Sequence, residues 1–563
     1  MFIFCISFIL DISYSQNRQI LSVWEQKHDE LIKILSQFAE KNQIGNFIQE
    51  DNKCGLWISM HMQNQWSNFS EREKSRLREI RGASAFEVDT IIGKFRIFYD
   101  TSGINEPALL DENMERIPHS ARSYVDTVGK YLNYVWHYII DTLGYEEPPF
   151  RNGSSVYTVS IEEFGSTLYG ETLFDPDFDI INNYDPPRYT SEIKIDNDYA
   201  GYVESPGLAG LKVTLAHELH HAVQIGSYGI RNKDMFFYEI TSTWMEDVIF
   251  DEVNDYYQYL SNSPLRRSHF SYPNVGFVRY NGSIEYSRAI WGKYIEKRFD
   301  PGLMLSAWSY FRNETAINAL DHSLRDRGSS FRSAFIEWSI WNLNTGPDAD
   351  TIKYYKEGKH YPTIAKRSTI VYAQSTRSFV DTIDAVSCSY RPVCVVQNIQ
   401  DSCEQGIRMY VTVININTQN AYSLIPFGFI YQMAPDGDET YKKLSNGVFV
   451  KLDVIDPENW TTQENIPAIV NDVFIYPNPY FGSAFLNFRL PPLKSNTALL
   501  TIFKINMDRV QSCELPVESA QFEPLIRWDG RDENGKIISS GIYIYVISVD
   551  GKNYTGKFAV LQE

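Results

Sequence analysis

Residues 215–226 read Leu215-Ala216-His217-Glu218-Leu219-His220-His221-Ala222-Val223-Gln224-Ile225-Gly226. His217 and His221 are four residues apart, which on an α-helix is about 400° of rotation, so both imidazoles leave nearly the same face and can bind one metal ion. Glu218 sits beside them. Leu215, Leu219, Ala222 and Val223 supply an apolar face, no Pro interrupts the stretch, and Gly226 suits a helix end. A chain with ten His in 563 residues meets this pattern by chance on the order of one time in a hundred, so metal binding is the expected role.

A catalytic zinc needs a third protein ligand and one open position. Downstream, Phe237-Tyr238-Glu239-Ile240-Thr241-Ser242-Thr243-Trp244-Met245-Glu246-Asp247 places Glu239 and Glu246 seven residues apart on one helix face. One can ligate while the other orients a ligand. Glu239 is the expected ligand and Glu246 the supporting or alternative one. Gln224 and Ser227 stand where a third-histidine pattern, H-x-x-G-x-x-H, would need Gly and His, so that site type is excluded. His220 points elsewhere and is expected to be structural. Zinc makes its water acidic near pH 7, Glu218 takes the proton during attack on a carbonyl, and the same carboxyl then protonates the leaving amine. Tyr286, or Tyr280, could stabilise the transition state.

At these residues the chain resembles the glutamate-type zincins, the thermolysin and aminopeptidase group, which implies a gluzincin fold and peptidase activity. It is also similar to a family of secreted bacterial metallopeptidases through Lys53-Cys54-Gly55, residues 95–103, the stretch from His217 to Gly229, and residues 239–247. That resemblance covers about residues 50–346. It departs from thermolysin at Thr243, where an Asp would support a zinc histidine, and Glu246 is the candidate replacement. The tail has its own resemblance. Tyr476-Pro477-Asn478-Pro479, Trp528-Asp529-Gly530-Arg531-Asp532, Gly535 and Ser540-Gly541-Ile542-Tyr543 resemble the sorting domains of the type IX secretion route, related to the immunoglobulin-like domain of hook-capping proteins. This implies contact with secretion machinery. Without the resemblance, Asp529-Gly530 and Asn534-Gly535 are simply turns.

Working outward, 563 residues at 43% hydrophobic and 22% charged exclude a disordered chain and suggest about four domains. The net charge of −19, without a basic stripe, argues against nucleic acid. Residues 1–15 are expected to be a signal peptide, too short to span a membrane, leaving no transmembrane helix in the mature chain. Residues 16–82 then form an N-terminal helical region, a possible propeptide, with an amphipathic helix from Gln19 to about Gln43 and a capping box at Ser70-Glu71-Arg72-Glu73. Residues 83–346 are the metallopeptidase domain, 347–465 a β-rich accessory domain, and 466–563 the C-terminal sandwich. The fold expectation is an α+β zincin-like domain followed by all-β domains, the last an immunoglobulin-like β-sandwich.

Five cysteines remain after residue 15, and a disulfide within Cys388, Cys394 and Cys403 is expected in an oxidising compartment. Asp175, Asp177 and Asp179, with Asp196 and Asp198, could hold a structural calcium. Residues 191–197 are expected to be an edge strand on which an extended peptide pairs. The sequence thus describes a secreted or cell-surface zinc metallopeptidase acting on protein or peptide substrates. Two alternatives share the residues: a non-catalytic adhesin or glycan-binding protein on a zincin fold, and a zinc amidase acting on cell-wall peptides.

Overall fold

The computed structural model describes residues 53–372 apart from 83–84, 166–167, 182–183 and 262–265, the helical residues Leu31, Lys33 and Leu35, and parts of 377–560. The chain divides into two compact units. One gathers 1–373, 381–428 and 457–459; the other gathers 374–380, 429–456 and 460–563. The expected leader, most of the 19–43 helix and Pro477-Asn478-Pro479 lie outside the described residues.

The first unit is α+β. Helix α1 (Leu56–Gln65) leads to α2 (Glu71–Arg81), whose N-terminus carries the expected capping box: Glu73 N donates to Ser70 Oγ, and Ser70 N donates to Glu73 Oε2 at 2.7 Å. A mixed sheet follows, made of β1 (Val88–Ile92), β2 (Phe95–Tyr99), β3 (Tyr157–Glu162), β4 (Gly170–Leu173) and β7 (Glu192–Asp196) in the order β1-β2-β3-β7-β4. Strands β2, β3 and β7 are parallel, whereas β4 runs antiparallel to β7. Between β4 and β7 the Asp-rich loop holds only a small hairpin, β5 (Ile180–Ile181) with β6 (Arg188–Tyr189). Residues 191–197 were expected at the sheet edge. They are interior instead, because β4 caps β7 and is itself the rim.

Helix α3 (Ala121–Trp136) packs on β1 and β2, and α4 (Leu208–Val223) packs on β7 and β4. Apolar on most of its circumference, α4 has no solvent side: from Gly210 to Val223 only Lys212 is not buried. Helix α5 (Met235–Ile249) crosses α4 and is buried along nearly its whole length. Further helices from Ile284 to Trp341 close the core with aromatic contacts such as the stacked Phe237 and Trp308 rings, 4.5 Å apart. None of the described helices is long and apolar enough to cross a membrane.

After Gly346 the chain turns to strands, as expected, but the first of these join the helical core. Strand Ser387–Val395 begins beside Phe277, whose N–H donates to Val386 O at 2.7 Å, and Tyr390 Oη donates to Ser339 O at 2.8 Å. Cys388 is a buried free thiol on that strand, not a disulfide partner, while the side chains of Cys394 and Cys403 lie outside the described residues.

In the second unit, strands 474–476, 486–489 and 525–528 form one sheet and strands 497–504, 509–516, 541–549 and 552–560 another. Both supply side chains to one core, including Leu486, Phe488, Leu500, Ile526, Trp528, Ile547 and Phe558. Period-two burial on 541–549 shows why: alternate residues face that core and the intervening ones face outward.

Candidate metal centre

His217 and His221 project from α4 and Glu239 from α5, and all three are at most 2% exposed. Their inner atoms converge. His217 Nε2 and His221 Nε2 are 2.9 Å apart, and Glu239 Oε2 lies 3.2 Å and 3.6 Å from them. Glu239 Oε2 has no well-formed hydrogen bond although it is fully enclosed. A buried carboxylate oxygen left in that state is costly unless a cation takes it.

The outer nitrogens are all committed. His217 Nδ1 meets Glu246 Oε1 at 2.7 Å, and His221 Nδ1 meets Gln224 Oε1 at 2.6 Å and Ser242 Oγ at 3.1 Å. Such partners fix each ring so that Nε2 faces inward. Glu246 meets the ring nitrogen of His217 that faces away from Glu239, and Thr243 makes no such contact, its hydroxyl being buried without a partner. Gln224, three residues after His221 in the turn that directly follows α4, also orients that ring, a role the sequence reading does not assign. His220 faces away, between Ser242 Oγ and Gln224 Nε2, both at 2.9 Å, with its ring against Tyr145 and Trp308. Burial holds it neutral, far below its ordinary pKa.

A fourth donor comes from far away in sequence. The sulfur of Cys54, a ring nitrogen of each of His217 and His221, and a Glu239 oxygen all lie within 4.8 Å of one another. Two imidazoles, a carboxylate and a thiol suit zinc in number, softness and charge. Burial opposes charge on His217, but the adjacent carboxylates of Glu239 and Glu246, the latter hydrogen-bonded to Nδ1, hold its pKa at about 9. Burial likewise opposes charge on Glu239, yet the charge of His221 and the closeness of both imidazoles bring it down to about 2.

Glu218 stands beside the cluster, 1% exposed, with burial raising its pKa. Thr172 Oγ1 on β4 lies 2.6 Å from Glu218 Oε2 and holds that carboxylate toward the rim of the sheet. The approach depends on Gly170: a Cβ there would stand 2.6 Å from Thr214 Cγ2 and 3.0 Å from Glu218 Cγ. Tyr286 is buried with its ring centroid 6.3 Å from that of His217 and 5.0 Å from that of Tyr259. Tyr280 is 44% exposed.

The aspartates considered for calcium do not gather. Asp175 and Asp177 face Arg78, the first at 2.7 Å from Nε, and Asp179 faces Arg151 at 2.8 Å. Asp198 pairs with Arg116, while Asp196 accepts the backbone N–H groups of Phe164, Asp198 and Tyr199. Each carboxylate is answered by a guanidinium or by amides, so no calcium cage results. Among the described residues, Asp532 similarly accepts from Asn534 N and Lys536 N, both at 2.9 Å, in an ordinary turn.

No family model matches this chain, and no curated protein matches it. Among solved structures it is similar over short stretches to dimeric latent PorU from Porphyromonas gingivalis, at 17% identity over 24% of this chain and 18% of that one, with a TM-score of 0.15. PorZ, a surface component of the type IX secretion system of the same organism, matches at 17% identity over 23% and 16%, with a TM-score of 0.13. Pullulanase from Bacillus acidopullulyticus matches at 11% identity over 32% and 24%, with a TM-score of 0.11. The chain spans less than a quarter of PorU and PorZ, and these likenesses carry no argument about function.

Proposed function

We propose that this chain is a secreted zinc metallopeptidase of the glutamate type, built on a zincin-like domain with an immunoglobulin-like C-terminal sorting sandwich. The observation that carries the reading is the convergence of His217 Nε2, His221 Nε2 and Glu239 Oε2 beside the Glu218 carboxylate. His217, His221 and Glu239 would hold the zinc. When bound, zinc supplies Lewis acidity that polarises a peptide carbonyl and makes water acidic near neutral pH.

Glu218 accepts the proton of the attacking water and delivers it to the leaving amine. Its burial, which raises its pKa, favours a carboxyl that can do both. Thr172 orients Glu218, Glu246 and Gln224 orient the imidazoles, and Tyr286 is the candidate donor to the developing oxyanion. The rim strand β4 offers main-chain groups for an extended peptide. Secretion, surface exposure and passage through the type IX machinery rest on the leader-like residues 1–15 and the tail motifs.

The test incubates the zinc-loaded chain, and a Cys54→Ser variant because the thiol lies among the ligands, with a peptide library and maps products by mass spectrometry. Chelator-sensitive cleavage is expected. Undiminished cleavage after Glu218→Gln in the Cys54→Ser background would refute the mechanism.

A further inference from the structure

We infer that Cys54 closes this site: its sulfur takes the fourth position beside His217, His221 and Glu239, and residues 53–81 hold it there, so that the intact chain is latent. The inference rests on the peptidase reading above and adds its regulation.

The first ground is placement. Residues 53–55 lie along β4 as an extra extended segment, with Gly55 N donating to Gly170 O at 3.1 Å, Tyr169 N to Lys53 O at 2.9 Å, and a parallel bridge between Cys54 and Gly170. The segment thus uses the rim that a peptide would need. Gly55 makes this fit possible, because a Cβ there would stand 2.6 Å from Glu171 Cγ. Cys54 is wholly buried, Leu56 N donates to its sulfur at 3.3 Å, and the sulfur lies in the ligand cluster near the Glu218 carboxylate.

The second ground is how the segment is fastened. Lys53 Nζ reaches Glu246 Oε2 and Asp255 Oδ2, each at 2.5 Å, with all three side chains at most 2% exposed. Glu246 is the same carboxylate that orients His217, so the plug and the ligand share one anchor. Along α1 and α2 the attachments to the rim are polar: Ser59 Oγ to Thr172 O at 3.4 Å, Arg81 to Glu171, and Arg78 to Asp175. The apolar residues Ile58, Met62, Trp66, Leu77 and Ile80 instead form a small core of their own with Leu31 and Leu35. Leu56 and Met60 of α1, with Cys54, pack into the main core, so lifting the segment exposes those side chains and breaks the polar seam, while its own small core leaves with it.

The proton balance is simple. Cys54 gives up its thiol proton to solvent when the sulfur ligates, and regains one when it leaves and water takes the position.

The decisive experiment loads the full chain with Co(II) and records its absorption. A near-ultraviolet thiolate-to-cobalt band is expected in the wild type and should vanish in Cys54→Ser and Cys54→Ala, each still binding one cobalt. With zinc, both variants should hydrolyse the library at least about tenfold faster than wild type, the factor by which closed molecules then outnumber open ones. A metal-loaded wild type lacking the band overturns the inference while leaving the peptidase reading intact. Equal hydrolysis by wild type and variants overturns latency. A band lost as expected with no hydrolysis by any form overturns latency and the peptidase reading together, and identifies a closed structural zinc site ligated by Cys54.

Discussion

Two acid-rich regions of the first unit are both metal-site candidates in sequence, the helical one expected and the aspartate-rich one only considered, and they prove opposite in structure. Glu218, Glu239 and Glu246 are carried on adjacent buried helices, and Glu239 and Glu246 face imidazoles. The aspartates at 175, 177, 179, 196 and 198 face Arg78, Arg151, Arg116 and backbone amides. The difference teaches that acid density says little. What matters is whether carboxylates are left short of partners at one point, as Glu239 Oε2 is, or are each neutralised locally.

The strongest way to break this contrast is at the base. In a Cys54→Ser background, Glu218→Gln is expected to lower kcat/KM by about 10²–10⁴-fold with zinc stoichiometry unchanged. Asp179→Asn should change neither rate nor zinc content. A comparable rate loss from Asp179→Asn, followed in the same peptide assay, would erase the distinction between the regions.

Next in size is Lys53→Ala. It leaves Glu246 and Asp255 buried without their cation, which costs about 3–5 kcal/mol, readable as a lower midpoint in urea. The corresponding change in the aspartate region, Arg78→Ala, removes a partner of half-exposed carboxylates and should cost about 1 kcal/mol or less. Equal losses would mean that burial does not separate the two sets of ion pairs.

A smaller effect is expected at the orienting residue. Glu246→Ala frees His217 Nδ1 and should weaken zinc binding about 10–100-fold in a competitive chelator titration. Glu246→Gln retains a partner for the ring and should recover part of that loss. Asp198→Asn, which touches no imidazole, should leave zinc affinity unchanged.

These residues also show where sequence suffices. The i, i+4 histidines, the adjacent Glu218 and the pair Glu239 and Glu246 follow from helical periodicity alone, because each relation lies within one helix. The capping box at Ser70 and Glu73 is local in the same way. Cys54, Lys53 and Thr172 reach the site only through pairing along β4, more than a hundred residues from Glu239 in the first two cases, and no periodicity encodes that register. The edge assignment for residues 191–197 failed for the same reason. An alternating run shows that a strand forms; only its neighbours decide whether it is a rim.

The mildest prediction concerns pH and separates the two regions by sign. Burial, with the charges of Glu163 and Asp198, raises the pKa of Asp196 to about 8, whereas Glu239 is held near 2. A raised carboxyl pKa means that the folded chain binds this proton more tightly than the unfolded one. The associated stability is complete below the unfolded value near 3.8 and is lost as pH rises through about 8. Backbone amides of Phe164, Asp198 and Tyr199 oppose this rise without cancelling it. Asp196→Asn should flatten that slope when denaturant midpoints are measured from pH 5 to 9. Glu239 contributes the opposite trend, with stability present above its unfolded value and lost only as pH falls toward 2, outside that range. A wild-type stability that rises between pH 5 and 9 by an amount Asp196→Asn abolishes would contradict the sign assigned to this carboxylate.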